Sequence, residues 1–276
     1  MSSVTTIEAP EFNYLQTFMR ESSAIVLDPG KEYLVESRLM PLAYSEGLHT
    51  VGELLVRLRR EKSELLRRKI LDAMTNNETW FFRDFYPFEA LRQEIIPALM
   101  TSRADTRSLQ FWSAASSSGQ EAYSIAMLLK EKFALPNWKF SILGTDICSA
   151  IRARAAEGRY SQMEINRGLP AAMLTKHFVR SGLDWIIAPS IREMVDFRAC
   201  NLAEPWPDIP KMDVVFLRNV MIYFDVAIRK QILLRLRSVL KPDGILFLGC
   251  AETTLNLDAG FDRIPFQKTV YYRLSK

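Results

Sequence analysis

The sequence is poor in the residues that build histidine- and cysteine-based sites. Its 276 residues include two histidines, His49 and His177. These are too few for a histidine-ligated metal site, and they argue against a Ser/His or Cys/His catalytic pair. The three cysteines, Cys148, Cys200 and Cys250, are widely spaced and form no Cys-x-x-Cys pair, which argues against a disulfide framework and a zinc site. We therefore expect reduced, mostly buried thiols, no metal, and a chemistry that works almost without imidazole.

Long apolar runs and a strong excess of charge are also missing. The most apolar stretches, such as residues 213–228, are interrupted by charged or polar residues well short of a membrane span. Residues 1–10 have neither the basic flank nor the apolar run of a secretory signal, so we expect a cytoplasmic protein that does not insert into membranes. A formal net charge of +4 is too mild to indicate a dedicated nucleic-acid binder.

What is present is the composition of an ordinary folded protein, with 48% hydrophobic and 25% charged residues. The length allows one large domain or two modest ones. Residues 11–75 carry apolar residues at helical spacing, interrupted by turn-forming residues at 28–30 and 45–47. This pattern predicts an all-helical N-terminal domain, residues 1–75.

From residue 109 the pattern changes to an alternation of strands and helices. We predict strands at 109–114, 139–144, 212–217, 245–249 and 269–274, and helices at 121–133, 148–157 and 226–240. The alternation predicts an α/β fold, with a parallel sheet covered by helices on both faces. Residues near 158–198 disturb the rhythm with short strand-like pieces at 185–188 and 194–197, which fits a small β subdomain inserted into a domain of residues 76–276.

The turn at residues 115–119 joins the first predicted strand to a helix, where backbone N–H groups can receive a ligand. It holds a single glycine, Gly119, whereas a dinucleotide fingerprint needs three, so a pyrophosphate cofactor is disfavoured. Glu121 would repel phosphate and attract a cation, unless it is a solvated glutamate favoured by the helix dipole. Asp146 follows the next strand, where an acid can accept hydrogen bonds from a ribose diol or serve as a helix N-cap.

Two more polar segments follow strand-like stretches. Asn201 and Leu202 come after residues 195–199 and can present amide and apolar edges to an adenine, and Asn219 and Val220 come after the strand that ends at residue 217. Since the carboxyl ends of parallel strands meet at one edge of a sheet, these positions are expected to converge there.

Residues 76–84 join the helical part of the chain to the alternating part. They surround three aromatics with polar residues, and Asn77, Thr79 and Arg83 are placed to face a charged small molecule. The composition suits a lid, or equally an interdomain linker with an aromatic anchor.

In order and spacing, these segments resemble the CheR family of chemotaxis receptor methyltransferases. The matching motifs are Asn77-x-Thr79-x-x-Phe82-Arg83, Ser113-Ala114-Ala115-x-Ser117-x-Gly119-x-Glu121-x-Tyr123-Ser124-Ile125-Ala126, Thr145-Asp146-Ile147, Gly158-x-Tyr160, Arg218-Asn219-Val220-x-Ile222-Tyr223-Phe224 and Lys241-Pro242-x-Gly244. Ser116 departs from the pattern, because members often carry Cys there, and Gln120 stands where a second acid is common.

The resemblance implies a class I S-adenosylmethionine-dependent methyltransferase (Rossmann-like) domain with a small inserted β subdomain, preceded by an all-α domain. It implies S-adenosylmethionine as cofactor and S-adenosylhomocysteine as product. The residues that match the family's cofactor contacts are Asn77, Thr79, Arg83, Glu121, Asp146, Asn201, Leu202, Asn219 and Val220. Because this cofactor carries a sulfonium and no phosphate, the missing glycines cease to be a defect.

The implied reaction is methylation of glutamate carboxylates on the cytoplasmic helices of methyl-accepting chemotaxis receptors, by a monomer. A glutamate of pKa about 4.3 is ionised at neutral pH, so no general base is needed. Arg83 and Tyr223 are the residues predicted to orient that carboxylate, and the basic end of the helical domain is predicted to recognise the receptor. The alternatives are a nucleic-acid methyltransferase and a catalytically silent S-adenosylmethionine sensor.

Overall fold

The N-terminal part of the chain is a bundle of helices. The computed structural model describes residues 7–275, and there the bundle consists of α1 (Ala9–Ser23), α2 (Glu32–Ser45), α3 (Val51–Glu61) and α4 (Glu64–Met74). Thr50 and Ser63 cap α3 and α4, since their hydroxyls accept hydrogen bonds from backbone N–H groups of the first turn. The apolar faces of all four helices meet in one core, as the helical periodicity of the sequence predicts.

The remainder of the chain is built on strands. They are β1 (Ser108–Ala114), β2 (Lys139–Asp146), β3 (Arg159–Ser161), β4 (Phe178–Ser181), β5 (Asp184–Ile187), β6 (Val195–Ala199), β7 (Met212–Leu217), β8 (Leu240–Leu248), β9 (Phe261–Phe266) and β10 (Thr269–Leu274). Seven of them form one sheet in the order β6-β2-β1-β7-β8-β10-β9, and three form a second sheet in the order β3-β5-β4. The first five strands of the large sheet are parallel, whereas β10 runs antiparallel to both of its neighbours.

Helices connect these strands and cover the large sheet. They are α5 (Tyr86–Ala90), α6 (Ile96–Ser102), α7 (Gln120–Lys132), α8 (Ser149–Glu157), α9 (Gln162–Asn166), α10 (Ala171–His177), α11 (Pro189–Arg192) and α12 (Val226–Val239). A π-helical turn, Leu91–Ile95, joins α5 to α6, and a 3₁₀ turn, Met221–Tyr223, follows β7.

Both faces of the large sheet are buried. Successive residues of β7 alternate between two cores, so that Val214 packs with one cluster and Val215 with the other. All six residues of β7 are buried, which explains why this central parallel strand has an unbroken apolar run at residues 214–217 instead of an alternating pattern.

Several details of the strand predictions are wrong. Of residues 194–197, predicted as part of the inserted subdomain, residues 195–197 belong to β6, which pairs with β2 in the large sheet. The sheet is mixed and not purely parallel, because β9 and β10 return as an antiparallel hairpin. Residues 241–244, which separate the predicted helix at 226–240 from the predicted strand at 245–249, lie inside β8 as an irregularity, since Leu240 pairs with Met212 while Ile245 already pairs with Val214.

The sequence analysis also missed three strands, β3, β4 and β9. β3 and β4 have three and four residues, too few for a periodic pattern to be recognised. β9 contains a proline at position 265, which counts against a strand unless that strand lies at an edge. β9 is the last strand of its sheet, so the edge position explains the proline.

The helical domain contacts the strand-containing domain close to the carboxyl ends of the parallel strands. The Asp72 carboxylate, at the end of α4, accepts hydrogen bonds from Ser149 Oγ (2.9 Å) and Ser149 N (3.3 Å) at the first turn of α8. The segment after α1 also forms an antiparallel bridge between Ile25 and Phe224, and Val26 N donates to Tyr223 O at 2.9 Å. One domain therefore caps a helix of the other.

None of the helices between residues 7 and 275 is both long and apolar enough to cross a membrane.

A buried carboxylate holds together the opposite, amino-terminal edge of the sheet. Asp213, at the start of β7, is fully buried and accepts hydrogen bonds from Arg103 Nε (3.0 Å), Lys241 Nζ (2.8 Å) and Gln110 N (2.8 Å). Two cations and one backbone amide thus compensate a single buried charge, which joins β1, β7, β8 and the segment after α6.

Replacing Asp213 by asparagine should lower the free energy of unfolding by about 2 kcal/mol, because Lys241 loses its counter-charge and Arg103 keeps only Asp243, while the shape is kept. Chemical denaturation followed by circular dichroism measures this change. A loss below about 0.5 kcal/mol, the size typical of surface substitutions, would show that the network contributes little.

Candidate cofactor site

An open cavity of about 850 Å³ lies at the carboxyl ends of β1, β2, β6 and β7, beside the helical domain. Its lining includes every residue that the sequence analysis assigned to the site: Asn77, Thr79, Arg83, Glu121, Asp146, Asn201, Leu202, Asn219, Val220 and Tyr223. Ser23 and Ile25, from the helical domain, also line it, and no pattern in the sequence indicated that contribution.

Asp146 lies at the end of β2 and shapes the turn that follows β1. Its carboxylate accepts hydrogen bonds from Ser117 N and Cys148 N, both at 2.9 Å. Burial raises the pKa of Asp146, while the two backbone donors act in the opposite direction. The N-cap residue of α8 is Cys148 and not Asp146, so the side chain of Asp146 orders the loop before the helix instead of capping it.

Glu121, in the first turn of α7, is buried and paired with a cation. Its carboxylate accepts hydrogen bonds from Ser113 Oγ (2.7 Å) and Arg218 Nη1 (2.9 Å). The alternative of a solvated glutamate is therefore wrong. Arg218 compensates the charge of Glu121 within the protein, so Glu121 does not need a cationic ligand as its counter-charge.

Arg218, which follows β7, was quoted as part of a motif but given no role by the sequence analysis. Its side chain is 1% exposed, and Nη2 donates to both Arg83 O (2.9 Å) and Asp84 Oδ2 (2.5 Å). One guanidinium thus joins Glu121 on α7 to the segment that carries Arg83. The indication in the sequence is an arginine directly after the apolar run of residues 214–217, because a charge buried there needs partners.

The segment at residues 76–84 combines the two roles considered for it, since it connects the domains and lines the cavity. Phe81 is fully buried against Tyr160 and Phe178, with ring centroids 5.0 and 5.6 Å away. Arg83 lies over the Trp80 ring at 4.2 Å, and its Nη1 donates to Glu78 O at 3.0 Å. The aromatic residues therefore anchor the segment and fix the arginine.

Residues around Asp84 adopt an uncommon backbone conformation. The φ angles of Phe82, Asp84 and Phe85 are 50°, 67° and 51°, in the left-handed region that non-glycine residues seldom occupy. Phe82 N donates to Ser124 Oγ at 2.9 Å, and Arg218 holds the next two residues, as described above. Tertiary contacts thus impose this conformation on the segment.

Asn201 and its neighbours form the side of the cavity next to the helical domain. Its Nδ2 donates to Ser22 O (3.1 Å) and its Oδ1 accepts from Ala203 N (3.1 Å). The side-chain amide therefore already connects the two domains, while the residue still lines the cavity. Burial raises the pKa of the adjacent Cys200 to about 11, so that thiol is protonated near neutral pH and is a poor nucleophile.

Tyr223 carries the phenol on the other side of the cavity. Its hydroxyl oxygen accepts a hydrogen bond from Asn76 Nδ2 at 2.6 Å, which leaves the phenolic proton available for a ligand. Asn219, four residues earlier, has φ 59° and lies directly after β7 with Arg218.

Unpartnered polar atoms show what kind of ligand the cavity suits. Among the described residues, the buried side-chain atoms without a hydrogen-bond partner are Arg83 Nε, Ser116 Oγ, Arg218 Nε and Asn219 Oδ1, and all four residues line this cavity. Such atoms are costly unless a ligand satisfies them. Amide, hydroxyl and carboxylate groups with one small-residue turn fit the ribose and amino-acid parts of S-adenosylmethionine, which brings no phosphate. Residues 7–275 contain no cluster of metal-ligating side chains.

Comparison with known proteins gives the same family that the sequence motifs resemble. The family model for the CheR methyltransferase SAM-binding domain matches residues 77–270, and that for the CheR methyltransferase all-alpha domain matches residues 10–75. Chemotaxis protein methyltransferase 1 of Pseudomonas aeruginosa is 39% identical over 95% of this chain and 97% of its own length. Chemotaxis protein methyltransferase Cher2 of Pseudomonas putida is 38% identical with the same coverage, 95% and 97%.

A more distant relative, the chemotaxis protein methyltransferase of Vibrio parahaemolyticus, is 34% identical over 98% of both chains. These relatives match over both domains, and the cofactor predicted from the sequence is the one that the matching catalytic-domain family binds. The class I methyltransferase fold with its preceding all-α domain is thereby confirmed. The chain belongs to the CheR methyltransferase family, and its catalytic domain is an S-adenosylmethionine-binding domain.

Proposed function

We propose that this protein methylates glutamate side chains on the cytoplasmic helices of methyl-accepting chemotaxis receptors, giving γ-glutamyl methyl esters and S-adenosylhomocysteine. The observation that carries the proposal is a cavity in which an arginine and a phenol keep unused donors while no histidine or ionised thiol faces them. A carboxylate is the acceptor that such a site suits. The names of the relatives, chemotaxis protein methyltransferases, support the same class of substrate.

The chemistry needs alignment more than proton transfer. S-adenosylmethionine supplies a methyl group bonded to a positively charged sulfur. One oxygen of the substrate carboxylate attacks that methyl group in line, so that an O–C bond forms as the S–C bond breaks and the two opposite charges cancel. Since glutamate is already ionised, no base has to remove a proton. Holding the two groups in line is worth roughly 7–11 kcal/mol in favourable systems.

Arg83 and Tyr223 are proposed to orient the substrate carboxylate. Arg83 is fixed by Trp80 and by the Glu78 carbonyl, so it can donate without closing tightly on the nucleophile. Tyr223 donates its phenolic proton because Asn76 occupies the oxygen. Two weak contacts of this kind position the carboxylate and leave one oxygen free to react.

The remaining lining residues are proposed to hold the cofactor. Asp146 is placed to accept from the ribose diol, as acids at this sheet edge do. Asn219 Oδ1 is an unpartnered acceptor that suits the ammonium group. Asn77, Thr79, Glu121, Asn201, Leu202 and Val220 complete this proposed cofactor site.

The helical domain is proposed to recognise the receptor through basic residues of α3 and α4. Arg57 already forms ion pairs within the helical bundle, with Glu46 (3.2 Å) and Glu61 (2.9 Å). Arg60 is 80% exposed and lies 3.6 Å from Glu61, so it remains available to an acidic partner. An acidic receptor helix would gain attraction and a faster approach from such a surface.

Replacing Tyr223 by phenylalanine should lower kcat about 100-fold, because the reacting carboxylate loses one of the two donors that hold it in line with the methyl group. The affinity for S-adenosylhomocysteine should change less than threefold, since the hydroxyl serves the substrate. Steady-state kinetics with receptor and calorimetry with S-adenosylhomocysteine measure the two effects. Tyr44, which is exposed on α2, provides the control variant Tyr44→Phe, and equal losses of kcat and affinity in Tyr223→Phe would contradict this role.

Charge reversal at Arg60 should raise the KM for receptor about fivefold at low salt, corresponding to about 1 kcal/mol of lost surface attraction. The difference should shrink as ionic strength rises, because salt screens exposed charges. Lys211→Glu is the matched control, since Lys211 is exposed before β7 at the opposite edge of the sheet. A KM for Arg60→Glu equal to that of the control would exclude Arg60 from docking.

The reaction itself is tested by incubating the protein with methyl-labelled S-adenosylmethionine and receptor-bearing membranes. Label should enter the receptor and leave as methanol after mild alkali, because esters are alkali-labile. A nucleic-acid methyltransferase would give an alkali-stable label on nucleic acid, and a silent sensor would transfer none, so either result rejects the proposal.

A further inference from the structure

The segment that carries Asn219, Val220 and Tyr223 has little secondary structure to fix its own shape. It leaves β7 at Leu217, and Asn219 has a left-handed φ of 59°. A single 3₁₀ turn follows at Met221–Tyr223. Since two proposed cofactor contacts and one proposed substrate contact lie within five residues, another element has to hold this segment in place.

Glu252 provides that support. It is buried in the loop after β8, and its Oε2 accepts hydrogen bonds from Asn219 N and Gly249 N, both at 2.7 Å. Its Oε1 accepts from Val220 N at 2.9 Å and Ile222 N at 3.3 Å. One carboxylate therefore satisfies four backbone N–H groups, three of them on the segment in question.

Gly249 shows how closely the two segments approach each other. A Cβ atom at this position would lie 2.7 Å from Asn219 Nδ2, 2.7 Å from Glu252 Oε2 and 2.8 Å from Asn219 N. These separations are well inside van der Waals contact, so only glycine fits. The end of β8 and the segment after β7 are thus packed backbone to backbone, with the Glu252 carboxylate between them.

We propose that Glu252 is a positioning residue for methyl transfer, which fixes the cofactor-side residues Asn219 and Val220 and the substrate-side Tyr223 as one unit. This deepens the proposed function and rests on it for the role of Tyr223. The two carboxylate oxygens of Glu252 hold different residues, because Oε2 accepts from Asn219 N and Oε1 accepts from the amides of Val220 and Ile222. Displacement of the carboxylate moves both sides of the cavity together.

A carboxylate is needed because it accepts about four hydrogen bonds, whereas an amide offers one oxygen and turns an NH₂ group toward the remaining donors. In Glu252→Gln, either the pair Asn219 and Gly249 or the pair Val220 and Ile222 loses its acceptor. Buried N–H groups left unpaired destabilise that local conformation. The expected result is a loosened segment within a folded protein.

The experiment compares Glu252→Gln with Asp213→Asn in the full chain. Both variants remove the charge of a buried carboxylate, but Asp213 lies at the opposite edge of the sheet, at the start of β7. Calorimetry gives the affinity for S-adenosylhomocysteine, receptor methylation gives kcat, and thermal unfolding gives Tm. Glu252→Gln should weaken binding about tenfold and lower kcat at least tenfold, and Asp213→Asn should leave both within twofold despite an equal or larger loss of Tm.

Gly249→Ala is the second variant, and it keeps the charge of Glu252. The added methyl group displaces Asn219 or Glu252, so this variant should also lose both its affinity for S-adenosylhomocysteine and its kcat. If Glu252→Gln does not fold, Gly249→Ala tests the positioning role instead. Amide hydrogen exchange provides an independent measurement, with faster exchange expected at Asn219, Val220 or Ile222 in Glu252→Gln.

The proposal is overturned if Glu252→Gln keeps its affinity and kcat within twofold, or if Asp213→Asn loses them to the same extent, which would indicate a general stability effect. Binding of S-adenosylhomocysteine does not involve the receptor. A wild-type protein that binds this compound but methylates no receptor would reject the proposed function, while the binding and exchange measurements would still test Glu252.

Discussion

The cavity depends on the hydrogen bonds that the buried guanidinium of Arg218 donates to neighbouring elements. This guanidinium connects the end of the central strand β7, Glu121 on α7 and the backbone of the segment that carries Arg83. A buried ion pair of this kind adds little net stability, yet removing one partner is costly because the others keep their charge without compensation. The contribution of Arg218 is therefore geometric: it fixes where three separate elements meet.

This arrangement suits a reaction that brings a cation and an anion together. Glu121 is paired with Arg218, and Asp146 is surrounded by backbone donors, so neither acid presents an uncompensated charge to an incoming carboxylate. Charges fixed in advance need no rearrangement as the reacting charges cancel. The polar atoms left without partners, such as Asn219 Oδ1 and Arg83 Nε, are then the ones open to ligands.

The two domains contribute jointly to the cavity. Ser23 and Ile25 line it from the helical side, while Asn201 donates to Ser22 O and Asp72 caps α8. A ligand in this cavity touches both domains and is linked to their association, because anything that binds the docked arrangement stabilises it. The helical domain thus lines the proposed cofactor site and is also the proposed receptor-binding domain.

The sequence by itself determined the helical bundle, through its apolar periodicity, and the strand β7, through its apolar run at residues 214–217. It also indicated the lining residues that follow β2, β6 and β7, since residues that follow parallel strands meet at one edge, but not Ser23 and Ile25. Only the tertiary structure decided that β6 joins the large sheet, that Arg218 pairs with Glu121, and that Glu252 binds the amides of Asn219 and its neighbours. Those contacts join residues far apart in the chain, and local patterns report burial and secondary structure but not which distant partner satisfies a buried polar group.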